Sequence, residues 1–332
     1  MSASASPMPV ALPPNLALRL VRLLARSRPL MLLILIAALC AYMAIVYPNN
    51  FPTHSNMAAV LLNAAQNAIL VTGMMVLMIA GAFDLSIGST LALAGVWAGV
   101  TVQYWGWPAP VGLLVGLCVG GTAGLVNGLI ITRLGINTLI ATLATMTIFR
   151  GLTYLTAGTG VTPIGDDFKR YGQTVIGGLQ SPFWVALVVV CAFAWMVGNT
   201  RFFRQYYFIG GNARAAKLSG IPVRRLTLLG FMLMGTLAGL AGSLGASRLN
   251  SAVVSAGIGV ELSVITATVL GGASLLGGEG SIGGGVLGVL FIALVQNAMI
   301  INGIGIFWQN IIVGLVLLLG VSLDRFKQAG RA

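Results

Sequence analysis

At 332 residues and a net charge of +12, the chain is 58% hydrophobic and only 7% charged, against roughly 25% charged in an ordinary soluble domain. That balance excludes a soluble enzyme. The basic residues sit just outside apolar runs instead of forming a phosphate-reading patch, so no nucleic-acid partner is expected and the bilayer is the expected surroundings.

The chain opens on a Ser, Ala and Pro rich stretch, followed by Arg19, Arg22, Arg26 and Arg28. No Ala-x-Ala-like site follows the first apolar run, so 1–28 is expected as a retained cytoplasmic tail before a first transmembrane helix. About 20 apolar residues cross a bilayer core. On that ruler the sequence predicts an all-α, polytopic membrane protein with about ten transmembrane helices. They fall near 29–47, 57–80, 86–105, 109–131, 137–157, 182–200, 226–247, 259–275, 282–302 and 304–322, with soft boundaries around the Gly-rich 271–288.

Polar residues inside these runs are costly in hydrocarbon unless they face protein or water. Asn63, Gln66 and Asn67 recur at i, i+3 and i+4 in the second run, which puts all three on one helix face. Their amides both donate and accept, so they match the hydroxyls of an uncharged solute. Asn127, Gln296 and Asn297 are similar but less clustered. These six are candidates for a translocation path, and interhelical hydrogen bonding is the alternative reading. A proton or ion path would need carboxylates in series, and Glu261 alone is expected at membrane depth.

Between the second and third runs, Gly81-Ala82-Phe83-Asp84-Leu85-Ser86-Ile87-Gly88-Ser89 interrupts the apolar sequence, and Asp84 or Ser86 is placed to cap the next helix. Ser281-Ile282-Gly283 repeats Ser86-Ile87-Gly88, with Glu279 matching Asp84, which suggests one re-entry device used twice. In the fourth run Gly112, Gly116, Gly120, Gly124 and Gly128 recur every four residues, and Gly235, Gly239 and Gly242 form a shorter stripe in the seventh. Such stripes let a neighbouring backbone approach closely, as in a compact bundle.

A basic, polar loop is expected over 201–225, containing Gly210-Gly211-Asn212-Ala213-Arg214-Ala215-Ala216-Lys217-Leu218-Ser219-Gly220. It reads as a docking element for a soluble motor. With both termini cytoplasmic, fourteen of the eighteen basic residues fall on the inside, the longest outside loop is 158–181, and Arg150 lies within the fifth helix. His54, the one histidine, is expected in an outside loop. Cys40, Cys118 and Cys191 lie far apart in apolar runs and suggest neither a metal site nor a disulfide framework. Gly278-Glu279-Gly280-Ser281-Ile282-Gly283 fits G-x-G-x-x-G but lacks the strand before it and the acid about twenty residues on. No P-loop pattern occurs. No catalytic, cofactor-binding or metal site is therefore expected on this chain.

Three ordered motifs carry a family resemblance from about residue 60 to 325. Residues 80–89 resemble the GGIDLSVGS signature of monosaccharide ABC-importer permeases. Ile209-Gly210-Gly211-Asn212, Ala215-Ala216 and Leu218-Ser219-Gly220-Ile221 resemble that family's cytoplasmic coupling segment. Gly259-Val260-Glu261-Leu262, Val269-Leu270-Gly271-Gly272-Ala273-Ser274-Leu275 and Gly277-Gly278-Glu279-Gly280 resemble its C-terminal half. The chain is similar to ribose, xylose and arabinose permeases, and less so to branched-chain amino-acid permeases of the same superfamily.

The resemblance implies a transmembrane permease domain over 29–322, a short cytoplasmic tail over 323–332 and a bacterial inner-membrane location. It implies a second permease copy or paralogue, an ABC ATPase subunit that carries the ATP and Mg, and an extracytoplasmic sugar-binding protein. It assigns ATPase coupling to Gly210, Gly211, Asn212, Ala215, Ala216, Ser219 and Gly220. Asp84, Ser86, Gly88, Glu261, Gly271, Gly272 and Gly278 are then signature positions. Two departures stand out: Ala213-Arg214 where many members have acids, and Ser263 where an acid usually follows Glu-Leu. A permease for another small polar solute (a polyol, nucleoside or branched-chain amino acid) and an ATP-independent secondary transporter remain alternatives.

Overall fold

The computed structural model of the chain describes residues 28–329. Of the tail expected over 1–28, residues 1–27 lie outside the described residues, as do 330–332, and Arg28 is the first residue of the first helix. Thirteen helices follow in order. They are α1 (Arg28–Val46), α2 (His54–Ile79), α3 (Ile87–Gln103), α4 (Ala109–Arg133), α5 (Thr138–Ala157), α6 (Asp166–Gln173), α7 (Ser181–Asn199), α8 (Arg201–Gly211), α9 (Ala213–Leu218), α10 (Val223–Leu249), α11 (Val260–Leu270), α12 (Ile282–Ile301) and α13 (Ile306–Ala329). One small antiparallel hairpin, β1 (Val175–Ile176) and β2 (Leu179–Gln180), joins α6 to α7.

Seven of these helices are long and apolar enough to cross a membrane: α1, α2, α4, α5, α7, α10 and α12. Three shorter apolar stretches, Ile87–Gln103, Val260–Leu270 and Phe307–Leu318, lie where the sequence places further crossings. One of them departs from the sequence reading. The crossing expected over 259–275 is α11, which has 11 residues, and at 1.5 Å per residue it spans about 16 Å, half of a roughly 30 Å core. The segment expected as a tail from 323 continues α13 as far as Ala329.

The glycine stripe of α4 meets that of α10, antiparallel. A Cβ on Gly120 would overlap the Gly235 carbonyl and come within 2.7 Å of Gly239 Cα, and one on Gly124 would fall on Phe231. Gly239 faces Gly116 in return, and Gly242 faces Leu91 and Gly95 of α3. With no side chain between them the backbones touch, and dispersion replaces the hydrophobic drive that lipid cannot supply. On another side of α10, Gly73 of α2 lies against Met234 and Leu237. The buried core runs along these helices, through Leu70, Met74, Phe231 and Met234.

The two ends of the bundle are organised differently. At the end holding α8 and α9, two turns converge on α8. At the far end α6 is stitched to the tail of α10 and the residues after it. Val161 and Ala252 form a reciprocal backbone bridge (3.1 and 2.9 Å). The Ile164 amide donates to the Asn250 carbonyl (3.2 Å) and Gly165 to Asn250 Oδ1 (3.0 Å), while Gln173 Nε2 donates to the Arg248 carbonyl (2.7 Å). The long connection expected over 158–181 is therefore an ordered cap. His54, expected in a loop, is the first residue of α2.

Candidate functional site

The basic segment over 201–225, expected as a loop, is mostly helical, and the reason is local. Thr200 Oγ1 accepts from the Phe203 amide (3.4 Å) and Asn212 Oδ1 from the Ala215 amide (3.0 Å), so each side chain caps a new helix. Ser219 closes α9, and Gly220, at φ +83°, turns the chain toward α10, a conformation that costs a glycine little. Ala216 is buried and its carbonyl accepts from Ile221 (3.0 Å). Gly211, Asn212, Ala215 and Ser219 are exposed. A groove of about 1050 Å³ lies beside α9, bordered by Arg214, Lys217, Arg224 and Arg225, with Leu218 85% exposed at its edge. An apolar knob ringed by cations suits an acidic protein surface.

The opposite face of α8 packs on two turns at once. A Cβ on Gly210 would overlap the Ile79 carbonyl and the Gly278 amide, and one on Gly277 would lie 2.8 Å from both Gly210 Cα and the Gly81 nitrogen. The Gly278 amide donates to the Ile79 carbonyl (2.8 Å), and the Tyr207 hydroxyl donates to the Gly280 carbonyl (2.9 Å). The turns after α2 and before α12 therefore meet at one glycine of α8. Gly277 and Gly278 reach this approach at φ +92° and +79°, where a Cβ is disfavoured. Tyr206 anchors α8 from behind: its buried hydroxyl donates to the Leu226 carbonyl (2.9 Å), and burial pushes its phenol well above the ordinary range, so it remains a donor.

Asp84 is not a helix cap. Ser86, at the start of α3, has a helical backbone and makes no side-chain capping bond. Instead Asp84 Oδ1 accepts from the Ser86 amide (2.8 Å) and hydroxyl (2.7 Å). Asn127 Nδ2 of α4 donates to Asp84 Oδ2 (3.3 Å) and Ser86 Oγ (2.8 Å). All three side chains are buried. Burial raises the Asp84 carboxyl above its ordinary value, and the hydrogen bonds from Ser86 and Asn127 oppose that shift. Asn127, a path candidate in the sequence, thus ties α4 to the turn before α3 within the core. By contrast Ser281 does cap its helix, accepting from the Gly284 amide (3.1 Å), so the repeated Ser-Ile-Gly triplet does two different jobs.

Beyond Gly88 the chain comes back to the same spot. A Cβ on Gly88 would overlap the Gly257 carbonyl and approach Glu261 Oε2 at 2.7 Å. Glu261 sits in the first turn of α11 and accepts from the Gly259 amide (3.2 Å). The starts of α3 and α11 therefore touch inside the bundle, and the non-helical stretch 250–259 runs down to that point from the far end. Arg150 of α5 holds it: Nη1 donates to the Val254 (2.7 Å) and Ala256 (2.8 Å) carbonyls. At the other end of α11, Gly271 packs on Gly284 and Gly272 turns at φ +103°.

The remaining path candidates separate. Asn297 pairs with Asn56, each amide donating to the other's oxygen (2.6 and 3.1 Å), which joins α12 to the first turn of α2. Gln296 borders an apolar crevice between α12 and α13 with Phe291 and Val313. Asn63 is exposed and Asn67 half-buried. Gln66 alone of the six borders a cavity beside the non-helical stretch, one of about 180 Å³. Sequence reasoning missed the roles of Arg150, Tyr207 and Gly277. A lone arginine within an apolar run was a usable signal for the first, whereas the other two depend on long-range approach.

The sequence profile of the family described as "Branched-chain amino acid transport system / permease component" matches residues 56–321. The chain is 39% identical over 305 residues to the L-arabinose transport system permease protein AraH of Escherichia coli (strain K12), covering 90% of this chain and 91% of that protein. It is 36% identical to the ribose import permease protein RbsC of the same strain, covering 89% and 93%. It is 39% identical over 281 residues to the ribose import permease protein RbsC of Bacillus subtilis (strain 168), covering 82% and 86%. No solved structure matches. A helical bundle with seven helices of spanning length, a basic helical hairpin keyed into two of its turns, and this match over most of its length mean that the chain belongs to the branched-chain amino acid transport system permease component family.

Proposed function

We propose that the chain is the membrane-spanning permease of an ABC importer for a monosaccharide, working in the inner membrane as a pair with a second copy or a paralogue. A separate ATPase carries the ATP and Mg and docks on α8 and α9 at the cytoplasmic face. A binding protein delivers the sugar to the opposite face, near α6. The arabinose and ribose permeases among its relatives support the substrate class.

The observation that carries the coupling reading is Gly210. Because α8 packs there against both the Ile79 turn and the Gly277–Gly278 turn, any displacement of α8 moves the attachments of α2, α3, α11 and α12 together. Packed backbone transmits such displacements because interiors do not compress. The path then runs past Gln66 and the non-helical stretch 250–259.

Purification of the tagged permease in mild detergent should bring down a P-loop ATPase whose hydrolysis rises with sugar-loaded binding protein. In Gly210→Ala the added methyl pushes the turns apart, so the ATPase should remain bound while the stimulation falls at least tenfold. A homogeneous permease with no ATPase, taking up solute only while an ion gradient lasts, would replace this reading with secondary transport.

A further inference from the structure

We infer that the break between α10 and α11 forms a subsite inside the membrane for one uncharged pentose- or hexose-sized polyol, held by the Gln66 amide. The inference deepens the permease reading above and rests on it.

Gln66 lies midway along α2. It is half-buried, and among the described residues nothing hydrogen-bonds to its amide. An amide at that depth without a partner is costly in hydrocarbon, and the cost is relieved if it faces a polar ligand or water. It borders a cavity of about 180 Å³ whose other side is built from Ser251, Ala252, Val253, Ala256 and Gly257, the stretch where the chain is not helical. Non-helical backbone is tolerated at membrane depth where it is enclosed by protein or lines a wet cavity. Broken helices are also where membrane carriers place polar solutes.

The cavity limits what fits. No Asp, Glu, Lys or Arg borders it, which disfavours an ionised solute. Gln66 and Ser251 both donate and accept, as a row of hydroxyls requires. Leu91, Leu249 and Val260 supply an apolar wall for the C–H face of a ring. At about 30 Å³ per liquid water the space equals about six waters, the scale of a single sugar ring. Arg150, by fixing the Val254 and Ala256 carbonyls, positions the cavity wall without bordering the cavity. At Gly245 the atoms nearest an added Cβ belong to the Gln66 amide, the first at 3.6 Å, an ordinary van der Waals contact, so a side chain there sits at the cavity wall.

The test is protection of a thiol. Gly245→Cys, in a chain whose Cys40, Cys118 and Cys191 are replaced by serine, is purified with its ATPase and labelled with a small neutral maleimide. D-ribose or L-arabinose at millimolar concentration should slow labelling at least fivefold, and sucrose should not. Gln66→Leu should remove the protection, and Gln66→Asn, which keeps an amide, should restore part of it. No protection by either pentose, equal protection by sucrose, or protection that survives Gln66→Leu would each overturn the subsite. The ATPase content of the same preparations reports separately on the importer reading, so the two can fail independently.

Discussion

Glycine does opposite work in two regions of this molecule. Along the seam of α4 and α10 the glycines are ordinary helical residues, and what matters is the missing Cβ: Gly116, Gly120 and Gly124 let one backbone lie on another. Through the broken stretch from 250 to 281, Gly257, Gly259, Gly272, Gly277, Gly278 and Gly280 all adopt positive φ. Here the missing Cβ matters for conformation, because the chain must turn repeatedly where a helix would ordinarily pass. The seam holds the bundle in one arrangement, whereas the break supplies the places where backbone is not committed to a helix.

Substitutions should separate these roles. The largest effect belongs to the seam: Gly120→Leu drives a side chain into Gly235 and Gly239 of α10, and no monodisperse protein should be recovered on size exclusion. Normal recovery would mean that the two helices can part without loss of the fold. Next is Arg150→Leu, which leaves the Val254 and Ala256 carbonyls without their charged donor. At roughly 1.5–3 kcal/mol for each bond to a charged group, a loss of about 3 kcal/mol is expected. It should appear as a lower melting temperature in detergent and faster labelling of cysteines placed within 251–257. An unchanged melting temperature would show that the break holds its shape unaided. Asn56→Leu removes one amide pair outside both regions and should cost only about 1 kcal/mol. Gly151→Ala, where an added methyl meets nothing within 4 Å, should stay within about 0.5 kcal/mol of the parent. A larger loss there would blur the distinction between structural and incidental glycine.

The same contrast sorts what was legible in the sequence. The seam was visible as a period of four, and the run expected over 109–131 is the helix Ala109–Arg133. Apolar length located the other long helices as well, since burial and bilayer thickness both act on composition. The expectation over 259–275 failed because apolar composition does not distinguish a spanning helix from a half-length one followed by glycine turns. The helices within 201–225 were missed although Thr200 and Asn212 were available as caps, because their polarity was taken as the mark of a loop. Asn127 and Asp84 are 43 positions apart and meet only through the antiparallel packing of α3 on α4. No local period encodes such a meeting, and the same holds for the pair of Asn56 and Asn297.

The stretch from 250 to 281 is fastened at both extremities: to the segment leading into α6 through the Val161–Ala252 bridge and the bonds to Asn250, and to α8 through Gly277 and Gly278. Thermodynamic linkage then imposes a reciprocity. If nucleotide binding at one extremity alters the affinity with which a partner lands on the other by some factor, landing of that partner must alter nucleotide affinity by the same factor. A titration of nucleotide binding, with and without the delivery protein, therefore measures from one side a coupling free energy that belongs equally to both.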